Sequence, residues 1–142
     1  MTTMLLVEKF FGVNKVQKIN SVLQDFINNT PQISSAVIST PDGFCIASSK
    51  FNDNSQEKLA AMSGSIHSLA KSISHEISGH GCDMLILESN LKKIIWCTIQ
   101  AETTTVVMTF ISEDKKLLGE LLLSAKQCCK LIQKILNDSQ LN

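Results

Sequence analysis

The chain has 142 residues, of which 44% are hydrophobic and 18% charged, and its 13 basic and 13 acidic side chains leave no net charge. These proportions are typical of one globular domain with a substantial core, and the lack of a basic block argues against a nucleic-acid partner. No segment approaches the roughly 20 apolar residues that span a bilayer, and the apolar run at residues 4–7 is too short for a signal peptide. We therefore expect a cytoplasmic protein that does not insert directly into a membrane.

Two residue types restrict the chemistry further. Arginine is absent, so the chain lacks the planar, bidentate fork that phosphate and carboxylate sites favour. The five cysteines are odd in number and form no CxxC pair, which argues against both a disulfide framework and a zinc ribbon. We expect reduced, buried cysteines that act as small apolar side chains, including the adjacent Cys128 and Cys129.

The N-terminal part of the chain predicts an extension followed by a helix. Residues 1–13 are rich in leucine and phenylalanine and form an apolar extension that can dock on the domain or on a partner. Asn14, with Gln17 three positions later, matches a capping box. Apolar residues at helical spacing continue to Ile27, so the first helix should begin at Asn14 and end before Pro31.

A β-hairpin follows this helix. Residues 33–40 are rich in β-branched side chains and predict a strand. Pro41, Asp42 and Gly43 form a turn motif, because proline suits the first corner position and glycine tolerates positive φ. Residues 44–48 then return as the second strand.

The central feature of the sequence is a helix predicted over residues 54–78. Asn54 and Glu57 match a second capping box, and Gly79 supplies an end signal. An apolar stripe at helical spacing is expected to pack on the domain's own sheet; it consists of Leu59, Met62, Ile66, Leu69, Ala70, Ile73 and Ile77. The column beside it consists of Ala60, Gly64, His67, Lys71 and Ser74, and the opposite column of Ala61, Ser65, Ser68, Ser72 and His75.

These two columns carry few charges for a helix surface. Between Leu59 and His75 the only formal charge is Lys71, whereas a helix side that faces water is normally polar and charged. Such a helix is either buried within one domain or meets another chain through close backbone approach. We favour contact with another chain, because a domain of this size has about two layers with which to cover a helix.

The C-terminal half predicts a three-stranded meander and a last helix. Residues 83–89, 93–99 and 104–111 predict the strands, the first of which is expected to be buried on both faces. Residues 115–136 predict an amphipathic helix, and residues 137–142 form a polar tail. The element order specifies an α+β fold in which helices cover one five-stranded antiparallel sheet.

The sequence resembles the Roadblock family of dynein light chains and bacterial GTPase regulators. The resemblance rests on the element order, the strand-PDG-strand turn, the small-residue middle helix and the segment GCDMLILES, and it covers residues 14–136. It implies a profilin-like sheet with the first and last helices on one face and the middle helix on the other.

The resemblance also implies a homodimer. Family members pair through the middle helix and the strand that follows it, here residues 83–89, to make a continuous sheet. The residues expected at this dimer or partner interface are Ala60, Gly64, His67, Ser68, Lys71, Ser74, His75, Leu85 and Leu87. Such dimers bind and regulate Ras-like small GTPases or serve as scaffold and assembly subunits, so we expect a small GTPase as partner.

No residue pattern points to catalysis or to a cofactor. The Ser-Gly-Ser at residues 63–65 lies inside a helix, unlike a nucleophile elbow, and a Walker A sequence is absent. His75, His80 and Cys82 are close in sequence, but they lie on a helix and across a glycine turn without a fourth ligand, which favours exposed histidines over a metal site. We expect a protein that is not an enzyme.

A small-molecule sensor domain of the PAS or GAF type is the alternative function. Such domains also combine helices with a five-stranded sheet, and they usually enclose a cavity lined by converging polar and aromatic groups. The predicted core here is aliphatic, with Trp96 as the lone tryptophan. We therefore favour the interaction module.

Overall fold

The computed structural model describes residues 2–49, 55–81, 83–113 and 118–141, with side chains from residue 7 onward. Within these ranges the elements in chain order are α1 (Thr2–Phe11), α2 (Val13–Asn28), β1 (Ser35–Ser39), β2 (Cys45–Ser49), α3 (Ser55–Ser78), β3 (Met84–Glu88), β4 (Lys93–Gln100), β5 (Thr105–Ser112) and α4 (Leu118–Asn137). The predicted cap at Asn54 and the predicted start of the last helix lie outside the described residues. None of the described helices is long and apolar enough to cross a membrane.

The five strands form one antiparallel sheet in the order β2-β1-β5-β4-β3. On one face, α2 and α4 cover the main core, in which Ile19, Leu23 and Ile132 are fully buried. α3 lies on the other face, where the indole of Trp96 on β4 reaches it. The predicted α+β architecture is confirmed, including the separation of the middle helix from the first and last predicted helices.

The turn between β1 and β2 is the one that the sequence predicts. Gly43 has a φ of 98°, a conformation that other residues adopt only at a cost. Its N–H donates to the carbonyl oxygen of Thr40 at 3.0 Å. A Cβ placed on Gly43 would lie 3.1 Å from the Cα of Ala61 on α3, so the tip of the hairpin touches the middle helix.

The N-terminal extension is a helix that packs on its own domain. Val7 and Phe11 are buried in the main core. Gly12, with a φ of 92°, joins α1 to α2, and α2 begins without a side-chain cap hydrogen bond. The predicted capping box at Asn14 is therefore wrong, because the chain enters α2 from a preceding helix and not from a loop.

α3 packs on the sheet through its small residues. Ala60, Ser63 and Gly64 are buried, whereas most of the predicted apolar stripe is exposed: Met62, Leu69, Ile73 and Ile77. The prediction that this stripe covers the domain's own sheet is wrong. The physical reason is close approach, since a Cβ on Gly64 would lie 2.9 Å from both the nitrogen of Gly43 and the carbonyl oxygen of Pro41.

Candidate interaction surface

The outward face of α3 carries a row of exposed apolar side chains, which we call the α3 stripe. Its members and their exposed fractions are Met62 (62%), Leu69 (59%), Ile73 (50%) and Ile77 (81%). With the half-buried Ile66 they recur at steps of four, three, four and four residues, close to the spacing at which two helices pack side by side. A contiguous apolar row of this kind is typical of a surface that another chain covers.

β3 is an edge strand, and its outer side is open. Among the described strands it pairs only with β4. Ile86 and Leu87 are 39% and 47% exposed, so the expectation that this strand is buried on both faces within one chain is wrong. The reason is its position at the end of the sheet, which leaves its side chains without a neighbouring strand.

The hydrogen bonds of β3 show which backbone groups face the open side. The carbonyl oxygen of Asp83 accepts a hydrogen bond from the N–H of Thr98 at 2.9 Å. At the other end of the strand, the N–H of Ser89 donates to the carbonyl oxygen of Lys92, in the turn before β4, at 2.9 Å. Bonded and non-bonded pairs alternate along an antiparallel ladder, so the odd-numbered residues of β3 bond to β4. The backbone N–H groups of Ile86 and Glu88 are therefore directed away from β4, toward a potential partner.

The side chains of Leu85 and Leu87 lie on the face of the sheet that α3 covers. Leu85 is opposite Trp96, whose indole N–H donates to the Oγ of Ser63 on α3 at 3.2 Å. Leu85 also borders a gap of about 10 Å³ beside Ile66 of α3. The open edge of β3 therefore lies beside α3, next to the side of the helix that carries the α3 stripe.

The opposite edge strand of the sheet, β2, contacts the helices α1, α2 and α3. The side-chain amide of Gln24 on α2 donates to the carbonyl oxygen of Ser48 at 3.4 Å and accepts from the Oγ of Ser49 at 3.0 Å. Unpaired strand edges promote association between chains. Among the described elements β3 has fewer neighbours than β2, so β3 is the more open of the two edges.

A buried polar network fixes α3 beneath this surface. The Oγ of Ser63 donates to the carbonyl oxygen of Leu59 at 2.7 Å and lies 2.8 Å from the Oγ1 of Thr109. Because the single hydroxyl proton of Ser63 goes to Leu59, the hydroxyl of Thr109 must donate to Ser63, as Trp96 also does. All three buried side chains are hydrogen-bonded, so the network holds the helix at a defined place on the sheet.

His67 lies at the margin of the same helix. Its Nδ1 is 3.3 Å from the Oγ1 of Thr98. Burial, and after it the positive charge of Lys71, lower the pKa of His67 below its ordinary value of 6.5. The imidazole is therefore predominantly neutral at pH 7.

The predicted interface residues divide by their positions. Ala60 and Gly64 are covered by the chain's own sheet and hairpin, so the expectation that they contact a partner is wrong. The other seven are at least partly accessible: His67, Ser68, Lys71, Ser74, His75, Leu85 and Leu87. The exposed members of the α3 stripe were not among the predicted interface residues, because spacing reveals an apolar face of a helix without revealing what that face contacts.

The histidines show no metal site in the described part of the chain. His75 and His80 are exposed, and Cys82 lies outside the described residues. Within the described ranges, no group of three or more His, Cys, Asp or Glu side chains is placed to hold a metal ion.

A cavity of about 380 Å³ lies at one end of the sheet, between α1, the hairpin tip and the turn before β5. Phe10 and Phe44 line it and are 75% and 48% exposed. The core residues Val7 and Phe11 also line it, and the exposed phenylalanines make it a cleft that opens to the surface. This position does not favour the alternative of a sensor that encloses its ligand.

Comparisons with known proteins agree with this architecture. A family profile described as the Roadblock/LC7 domain matches residues 19–109. Similar solved structures include MglB from Myxococcus xanthus, with 17% identity, a TM-score of 0.74, and coverage of 84% of this chain and 88% of that chain. A Roadblock/LC7 domain from Streptomyces avermitilis has 15% identity, a TM-score of 0.73, and coverage of 82% and 96%.

A third similar structure is MglB with a tetrameric arrangement, at 12% identity and a TM-score of 0.74, with coverage of 85% of this chain and 89% of that chain. At these identities the solved structures show a shared fold. No curated protein sequence matches the chain.

Proposed function

The chain belongs to the Roadblock/LC7 domain family, and from this premise we propose that it is a non-catalytic, cytoplasmic homodimer that binds and regulates a Ras-like small GTPase. The observation that carries the proposal is the open β3 edge beside the exposed α3 stripe. The tetrameric arrangement of one similar MglB structure supports self-association in this fold. A role as a scaffold or assembly subunit would use the same dimer.

A dimer with one two-fold axis beside β3 would cover both the open β3 edge and the α3 stripe. Two copies of β3 pair antiparallel and join two five-stranded sheets into one, which supplies partners for the backbone of Ile86 and Glu88. The same axis brings the two α3 stripes together, because α3 adjoins that edge. The dimer would thus cover both the unpaired backbone and the exposed apolar side chains.

The free energies of burial and association indicate that a stable dimer needs both the α3 stripe and backbone pairing at β3. Burying the exposed half of each stripe side chain stabilises the dimer by roughly 1 kcal/mol. The four members of each stripe therefore contribute roughly 8 kcal/mol from the two chains, whereas association costs about 4–15 kcal/mol. The stripe alone does not give a tight dimer, so backbone pairing at β3 must add to it.

The GTPase partner follows from the family resemblance. Next to the α3 stripe, Ser68, Lys71 and His75 offer exposed polar side chains to such a partner. Activators of Ras-like enzymes often insert an arginine, which accelerates hydrolysis by about 10³–10⁵-fold, but this chain has none. Regulation would therefore consist of holding the GTPase's own switch loops in one conformation, with preference for the GTP-bound state.

The dimer is tested by placing a charge on the α3 stripe. Leu69→Glu should give a folded monomer, because a carboxylate would be buried between two helices without a partner. Leu123→Glu on α4 is the matched control, since the two leucines are 59% and 60% exposed. Sedimentation equilibrium should show a dimer for the wild type and for Leu123→Glu. A dimer of unchanged affinity for Leu69→Glu would place the interface elsewhere.

The GTPase role is tested by single-turnover hydrolysis with the purified Ras-like GTPase of the source organism. We expect tighter binding to the GTP-bound form and at most modest acceleration. Lys71→Ala should leave any acceleration largely intact, because a lysine provides a point charge and not a fork. If Lys71→Ala removes a large acceleration while binding persists, the chain supplies a catalytic charge and the non-catalytic assignment is wrong.

A further inference from the structure

Two of the described phenylalanines are exposed, and both line the cleft at the end of the sheet. Phe10 on α1 is 75% exposed, and Phe44, just before β2, is 48% exposed. The other described phenylalanines lie in the main core or against it: Phe11, Phe26 and Phe110. The cleft has a volume of about 380 Å³, within the range of roughly 300–1,000 Å³ that is usual for binding sites. Two exposed rings in one cleft are typical of a surface that another molecule covers.

Packing and hydrogen bonds hold both aromatic walls of the cleft in place. The ring of Phe10 makes an edge-to-face contact with the buried ring of Phe11, with 5.0 Å between the ring centroids. The N–H of Phe44 donates to the Oγ1 of Thr40 at 2.9 Å, and the N–H of Thr40 donates to the carbonyl oxygen of Phe44 at 2.8 Å. The walls therefore need little ordering when a partner binds, which lowers the entropy cost of binding.

Asp42 places a negative charge at the rim of the cleft. It is exposed, and its carboxylate is the only charged group among the described residues that line the cleft. The ion pairs between described residues join Lys92 to Glu113 and Lys93 to Glu88, so neither of them neutralises Asp42. Aromatic rings also attract cations. The cleft therefore matches an apolar group that carries a positive charge beside it.

A groove continues from the cleft along α3. Pro41 and Asp42 line both, and the groove has a volume of about 550 Å³ and reaches Ser68, Leu69 and Ser72. A peptide segment that anchors one side chain in the cleft has room to continue along this groove, whereas a small molecule in the cleft would leave the groove empty. The shape of the surface therefore favours a peptide segment as the occupant.

The cleft depends on α1. Val7, Phe10 and Phe11 supply one of its sides, and all three precede residues 19–109, which the Roadblock/LC7 profile matches. Membership in the family therefore does not imply this cleft. It is also a different surface from the β3 edge, where the two chains of the proposed dimer would pair.

We propose that the cleft binds a segment of a partner protein that presents a large apolar side chain next to a lysine or arginine. The apolar side chain inserts between Phe10 and Phe44, and the neighbouring cation pairs with Asp42. The rest of the segment follows the groove toward Leu69. Binding of such a peptide requires neither the dimer nor a GTPase, so its test is independent of the proposed function.

Selection from a phage-displayed library of random peptides on the wild-type protein tests the proposal. Enriched peptides should contain leucine, methionine, phenylalanine or tryptophan adjacent to lysine or arginine. Addition of the tightest-binding peptide, made synthetically, should shift the amide NMR signals of Phe10, Phe44 and Thr104. The proposal is overturned if no peptide is enriched, if the enriched peptides are acidic, or if the shifted signals belong to another surface.

Variants then measure the two parts of the site with the same peptide, labelled for fluorescence anisotropy. Phe10→Ala should weaken binding by roughly tenfold or more, because it removes one aromatic wall. Asp42→Asn should weaken binding by about 1.5- to 5-fold, the effect of one exposed ion pair, and the difference from the wild type should shrink at high salt. Leu123→Ala is the control, because Leu123 is 60% exposed and lies outside the cleft.

The same variants distinguish a peptide from a second copy of this chain. Phe10→Ala and Phe44→Ala should leave the mass in sedimentation equilibrium unchanged, because the cleft takes no part in self-association. A lower mass for either variant would show that the cleft joins two copies and would overturn the proposal. Peptide affinity that is unchanged in both variants would overturn it as well.

Discussion

At the scale of single residues, Ser63 has the most partners beneath the proposed interface. Its hydroxyl bonds to Leu59, Thr109 and Trp96. Ser63→Ala would leave the indole N–H and the Thr109 hydroxyl buried without partners, so we expect a loss of about 1–3 kcal/mol in the free energy of unfolding. Urea unfolding followed by Trp96 fluorescence measures it. Ser65→Ala, at an exposed position of the same helix, should change stability by less than half of that.

Gly64 should tolerate no side chain. A Cβ there would approach hairpin backbone atoms at 2.9 Å, so Gly64→Ala should destabilise the fold by about 1–3 kcal/mol through overpacking. Gly119→Ala is the control, because a Cβ at Gly119 meets nothing within 4 Å; there alanine should be neutral or stabilising. Equal urea midpoints for the two variants would contradict the close contact between α3 and the hairpin.

His67 gives a pH dependence with a defined sign. Its folded-state pKa is lowered from 6.5, so as the pH falls through that value the unfolded chain binds the proton first. The stability contribution is present above pH 6.5 and is lost between that pH and the folded-state pKa. Urea midpoints at pH 7.5 and 5.5 should differ more for the wild type than for His67→Gln. His75→Gln controls for replacing a histidine on the same helix.

These residues also show how far the sequence alone could go. The turn glycine at Gly43 was predictable because a PDG turn requires positive φ. The contacts of Ser63 and Gly64 were not, since they depend on which side of α3 approaches the hairpin. Apolar periodicity marked one face of the helix, but the small residues lie against the sheet because they allow closer packing.

At the scale of elements, the open side of β3 predicts that proline will have different effects at neighbouring positions of this strand. The N–H of Ile86 faces away from β4, whereas Leu87 is in a hydrogen-bonded pair, so its N–H points toward β4. Proline is tolerated in an edge strand where its missing N–H faces outward. Ile86→Pro should therefore keep the fold and weaken the dimer, whereas Leu87→Pro should also lower the urea midpoint.

Circular dichroism and sedimentation on both proline variants check this. The reverse order of stability, with Ile86→Pro less stable than Leu87→Pro, would show that the strand has a different register. A dimer of full affinity for Ile86→Pro would show that backbone pairing at β3 does not hold the two chains together.

The elements themselves were largely predictable. All five strands and the helices α2, α3 and α4 follow from the hydrophobic period, β-branched composition and turn chemistry. α1 was expected only as an apolar extension, since its helical state depends on burying Val7 and Phe11 in the core of the domain. The start of α2 was misassigned for the same reason, because Gly12 after α1 replaces the expected cap.

At the scale of the whole molecule, the sheet order explains why this chain should associate. One edge strand, β2, contacts α2 through Gln24, and the other, β3, lies open next to exposed leucines and isoleucines. Element order and turns were enough to predict the fold class. The open edge at β3 agrees with the family resemblance, which implies pairing between chains through residues 83–89. The exposed α3 stripe was not predictable, because apolar spacing does not show which side of the helix lies against the sheet.

Amide hydrogen exchange across a dilution series tests the central claim most directly. In the dimer, the N–H groups of Ile86 and Glu88 should be protected, and they should exchange faster once the concentration falls below the dissociation constant. Leu85 and Leu87 should depend on concentration less, because their N–H groups bond to β4 within the chain. Leu69→Glu should show fast exchange at Ile86 and Glu88 at every concentration. If exchange at these two residues is independent of concentration in the wild type, β3 does not pair between chains and the proposed dimer is wrong.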